Sequence, residues 1–186
     1  MRLTLLFCAA AALVHAQSAS PAAGLEPAWD IAVVLNEISG NATRLVPVLD
    51  KLSPRSWVEK GASDTYLQQW QSSRDQARAV SDGAKALARN PERLSASLEL
   101  FFRLEGLERM VRSIEEGAQK YQGAEFAREV DAVYAEGGTN RERFRRYIVN
   151  LAAEREQQFE VMDKEAQRCR ATLMAPTPSN PAGRKK

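Results

Sequence analysis

Residues 94–121 read LSASLELFFRLEGLERMVRSIEEGAQKY. Leu100, Leu104, Leu107, Val111, Ile114, Ala118 and Tyr121 recur at alternating gaps of four and three, preceded by Leu94, Leu98 and Phe101. A mean step of about 3.5 residues keeps one apolar seam on one side of an α-helix along its whole length. The period-two alternation of a half-buried strand does not compete with it.

The same rhythm recurs in three other stretches. One runs through Ile31, Leu35, Ile38, Ala42, Leu45, Leu49 and Leu52, and a second through Tyr66, Trp70, Ser73, Ala77, Val80, Ala84 and Leu87. The last has Phe144, Ile148 and Leu151, then, after an interruption, Phe159, Met162, Ala166, Cys169 and Leu173. Small residues at Ser73, Ala77 and Ala84 let a partner helix approach closely, and the bulky Leu/Phe face of 94–121 is a natural complement. Gly40, Asn41 and Pro47 weaken the first helix, with a kink expected near Thr43–Pro47.

The punctuation fits this division. Ser53-Pro54 closes the first helix and opens a loop with Trp57 and Gly61, and Ser63 can cap the second. Asn90-Pro91 reads as an N-cap followed by proline at the first helical position, after a tight reversal. Gly123 ends the third helix. A short helical piece, 124–136, follows, and Gly137-Gly138 ends it. Thr139-x-x-Glu142 then offers a capping box for the last helix. The expected fold is all-α: an antiparallel four-helix bundle over residues 28–174, with a short helical insertion before the last long helix.

The ends read differently. Residues 1–16, MRLTLLFCAAAALVHA, carry one positive charge, an apolar run and a small-residue site before Gln17, the pattern of a cleaved secretory signal peptide. Its apolar run is shorter than the roughly 20 residues that a membrane-spanning helix needs. Residues 17–27 read as a flexible leader, and 175–186 as a disordered, proline-rich basic tail. The expected location is secreted or periplasmic, with no transmembrane segment after cleavage near Ala16–Gln17.

Cleavage removes the only histidine, His15, and one of two cysteines, Cys8. Without histidine, neither an axial-histidine haem nor a Glu-x-x-His di-iron centre can be built, and no C-x-x-C-H haem attachment occurs. No cofactor and no metal are expected. The whole chain carries 26 basic and 24 acidic residues, a balance too even for steering toward nucleic acid. Glu105/Glu108, Glu115/Glu116 and Glu154/Glu156 invite a glycosidase reading, but they lie off the seam among arginines, as solvated pairing partners do. No nucleophile elbow or phosphate loop appears, so no catalytic residue is assigned.

Cys169 falls on the apolar phase and is read as a small buried hydrophobe, with a disulfide-linked homodimer as the alternative. Arg155 interrupts the same phase; its guanidinium is expected in water at the helix margin. The candidate interaction residues are Trp57 and Trp70, as anchors if exposed, and the basic run Arg141, Arg143, Arg145 and Arg146. Together these readings favour a non-catalytic interaction module that engages a protein or envelope polymer. The alternative is a carrier holding a small apolar or amphipathic ligand inside the bundle.

Overall fold

A computed structural model of the protein describes residues 25–174. The expected signal peptide (1–16), most of the leader and the tail (175–186) lie outside the described residues. Six helices pack together: α1 (Ala28–Asp50), α2 (Pro54–Glu59), α3 (Thr65–Ala88), α4 (Leu94–Tyr121), α5 (Ala124–Glu136) and α6 (Gly138–Met174). No strand occurs among the described residues, and no described helix is long and apolar enough to cross a membrane.

The seams of the first three long segments form the core. Every seam position of α1, and Leu52 just after it, is buried, as are Leu100, Leu104, Leu107, Val111, Ile114 and Ala118 of α4. α1 and α3 run in opposite directions: Trp70 Nε1 donates to the Leu49 carbonyl at 2.7 Å, and Ser81 meets Ser39 at 2.9 Å further along. The small stripe of α3 (Ser73, Ala77, Ala84) is buried, and α3 packs against both α1 and α4. Thr43 Oγ1, at the exposed edge, lies 2.9 Å from Ser81 Oγ and donates to the Ser39 carbonyl at 2.9 Å, so the buried Ser39 and Ser81 hydroxyls both have partners. α1 runs unbroken through Pro47.

Three local expectations change. The loop after Pro54 contains a short helix, α2, opened by that proline. α4 begins at Leu94 rather than Pro91: Ser97 Oγ donates to the Pro91 carbonyl at 3.3 Å, and Asn90 and Pro91 make the reversal. Asparagine and proline serve turns as well as helix starts, so the pair alone could not place the boundary. The end of α5 at Gly137 is as expected, but the capping box is not formed, because α6 begins at once after that glycine. Gly137 stays near helical conformation (φ −81°, ψ −1°), and Thr139 and Glu142 lie within α6. Its role is close approach: a Cβ there would stand 2.6 Å from Asn41 Oδ1.

The fold of α5 against α1 decides where α6 ends up. Lys51 pairs with Glu129 and Arg44 with Glu136, while Asn41 Nδ2 donates to the Val133 carbonyl, so α5 lies along the C-terminal half of α1. α6 therefore starts opposite Asn41 and covers the other half, where Arg143 pairs with Glu26. Leu25, just ahead of Glu26, packs on the core. At about 1.5 Å per residue, Gly138–Leu151 and Ala28–Asn41 each span about 20 Å. The core helices are used up there, but α6 continues to Met174.

Candidate functional site

The residues of α6 beyond the core make the most exposed helical surface in the structure. Every residue from Glu156 to Met174 is exposed. The stretch still folds as helix because it is rich in Glu, Gln, Lys, Arg and Ala, and contains neither Gly nor Pro. Its own side chains brace it: Gln158 Nε2 donates to Glu154 at 3.0 Å, Gln167 Nε2 to Asp163 at 2.8 Å, and Lys164 lies 3.7 Å from Glu160.

This arm carries an apolar stripe without a cover among the described residues. Phe159 is 72% exposed, Met162 68% and Leu173 85%, and Ala166 and Cys169 lie between them at the three–four spacing of the seam. Phe159 lies about three turns beyond Ile148, and Met162 about three turns beyond Leu151. The stripe is thus the axial continuation of the face that Phe144, Ile148 and Leu151 bury in the core.

Cys169 requires a correction. It was expected in the core and is exposed. Its apolar phase holds, but α5 takes half the length of α1, so no described helix remains beside the distal half of α6. Arg155 sits at the transition, half-exposed, with Nη2 3.3 Å from Glu92 in the α3–α4 connection. Its guanidinium stands at the margin, as expected.

Neither tryptophan singled out from the sequence is freely exposed. Trp57 is 0% exposed; its ring meets Tyr66 edge-on at 5.8 Å, and Nε1 donates to Gln122 Oε1 at 2.9 Å. It cannot act as a surface anchor, because α2 folds it inward against α3 and α4. Trp70 is half-buried, with the Arg74 guanidinium over its ring at 4.6 Å. The open tryptophan is Trp29, which precedes the first seam residue and carried no periodic signal.

The basic run does not converge on one site. Arg141 Nη1 donates to the Tyr134 carbonyl at 2.9 Å, with its guanidinium 3.9 Å from that ring. Arg143 engages Glu26, Arg145 lies 3.5 Å from Glu142, and Arg146 is exposed on another part of the turn. Helical spacing sends successive arginines to different faces, and most already have internal partners.

Between α4 and α5 lies an open depression of about 470 Å³ lined by Glu108, Arg112, Glu115, Asp131 and Tyr134 among others. Burial raises the Glu115 carboxyl above its ordinary value, the Asp131 and Glu116 carboxylates add to this, and Arg112 opposes it. Burial likewise pushes the Tyr134 phenol up to about 12, against the nearby Arg141. Glu108 is tied to Arg112 at 2.7 Å, as one-turn pairing predicts. The space that reaches the core beside Ile38, Leu45, Val80 and Leu107 is only about 10 Å³, near the minimum for one water.

No known protein family matches the chain, no curated protein matches it, and no solved structure matches it.

Proposed function

We propose that this is an exported, non-catalytic interaction protein, secreted or periplasmic, in which a helical bundle holds out the distal half of α6 as a docking arm. In this reading the bundle is an antiparallel four-helix arrangement. Its columns are α1, α3, α4 and, as the fourth, α5 followed end to end by the proximal half of α6. Supporting it are the opposed α1 and α3 and the successive pairing of α5 and α6 with α1.

The observation that carries the functional reading is the arm itself: an apolar stripe on a helix whose residues are all exposed from Glu156 onward. Contiguous exposed apolar surface on a folded protein marks a contact site more often than an idle face. The carrier alternative finds little support, because the space that reaches the core beside Ile38, Leu45, Val80 and Leu107 is about 10 Å³ where a ligand pocket needs roughly 300 Å³ or more, and the larger depression between α4 and α5 is open to solvent.

A photo-reactive phenylalanine analogue placed at position 162 in the host tests this reading. A discrete adduct from 162, without the same adduct from position 164 on the opposite face, is the expected result. No adduct from 162, or equal labelling from both positions, would sink it.

A further inference from the structure

The geometry points to a second copy of this chain as the occupant of the arm, paired antiparallel along the distal half of α6. This inference rests on the docking-arm reading and names its partner.

The direction of pairing follows from sterics. The stripe faces the same side as Phe144, Ile148 and Leu151, so a helix laid on it stands directly beyond the space filled by α1 and α4. A parallel partner would carry its own bundle down into that filled space. An antiparallel partner carries its bundle away at the opposite end of the arm.

Charge selects the register. With Phe159, Ala166 and Leu173 at one seam position and Met162 and Cys169 at the other, Asp163 and Arg170 flank the same side. An antiparallel pair that layers Met162 on Leu173 and Ala166 on Cys169 sets Asp163 opposite Arg170. The two-fold axis makes every one of these contacts twice. Sliding the helices by one heptad toward Phe159 sets Glu156 opposite Arg170 but also brings Asp163 onto Asp163 and Glu165 onto Glu165, and that like-charge repulsion disfavours it. Cys169 then packs against Ala166 of the other copy, in the apolar environment its phase implied, and too far from its own counterpart for a disulfide.

The arm is short, so the contact falls at the weak end of specific interfaces, and association is concentration-dependent. The test is sedimentation equilibrium on the full mature chain, kept reduced, from micromolar to millimolar. A monomer–dimer equilibrium is expected. Met162→Glu abolishes it while leaving the melting temperature unchanged, since Met162 is exposed in the single chain. Asp163→Arg and Arg170→Asp each weaken the dimer, and the two together restore it. Maleimide labelling of Cys169 is fast at dilution and at least tenfold slower in the dimer.

A monomer throughout the range overturns the proposal, as do a dimer indifferent to Met162→Glu and a charge swap that fails to restore pairing. Ready Cys169–Cys169 cross-linking by a disulfide donor such as oxidised glutathione indicates a parallel pair and also overturns it. The photo-probe separates the two levels: a monomer whose position 162 labels a different chain ends self-pairing but keeps the docking arm. A monomer that labels nothing ends both.

Discussion

Gln122 follows α4 and does more than a surface glutamine at a helix end ordinarily does. Its Oε1 accepts from the Ser53 N–H at 2.8 Å and from Trp57 Nε1 at 2.9 Å, and its Nε2 donates to the Lys51 carbonyl at 3.0 Å. One side chain thus ties the α1–α2 connection to the end of α4 and satisfies a buried indole. Gln122→Leu leaves that N–H without an acceptor, and a loss of about 1–3 kcal/mol is expected in urea unfolding. Gly117 closes the same corner. A Cβ there would stand 2.8 Å from the rings of both Trp57 and Tyr66, so Gly117→Ala should cost roughly 1–3 kcal/mol through overpacking. Glu115 makes a prediction in pH. Its folded-state value is raised, so the folded protein binds more protons than the unfolded one between the ordinary and the raised value. Its contribution to stability therefore falls as pH rises through that window and stays lower at neutrality. Glu115→Gln should raise the melting temperature at neutral pH and leave it unchanged well below the carboxylate range. A variant that melts lower at neutral pH would contradict this.

At the scale of elements, the seams of α1, α3 and α4 were legible because an uninterrupted three–four spacing leaves a single face to bury. The short helical piece 124–136 was legible too, since glycines bracket it and apolar residues lie one turn apart. α2 was not, because a helix of 6 residues is too short to show a period. The start of α6 was not legible for a different reason. Gly137 ends α5, but the chain resumes as helix at Gly138 rather than at Thr139, where the capping box placed the start, and only the nearness of Asn41 reveals that Gly137 also admits a neighbour. For the candidate site, the sequence revealed the apolar stripe of α6 but not what covers it: periodicity reports a face, whereas burial depends on how much partner length remains. Trp57 shows the same limit, since outside a periodic segment nothing in the sequence says which way an aromatic ring turns. Single substitutions along the arm follow from its exposure. Phe159→Ser or Leu173→Ser should change folding stability by no more than about 0.5 kcal/mol, whereas Leu151→Ala in the buried half should cost roughly 2–5 kcal/mol.

For the whole molecule, the division of α6 predicts that folding and association are separable. A chain ending at Glu156 should unfold with the same cooperativity and nearly the same melting temperature as the full chain, while circular dichroism loses the signal of the removed helix. A large drop in melting temperature would mean that the arm supports the bundle, contrary to its exposure throughout. The one-residue junction between α5 and α6 has a further consequence for how such a protein changes over generations. Substitutions in 138–151 are screened by folding, because Phe144, Tyr147, Ile148 and Leu151 are buried. Substitutions beyond Glu156 escape that screen, since none disturbs a packed neighbour. The far half of α6 can therefore be rewritten residue by residue without loss of the fold, while natural selection holds the near half constant.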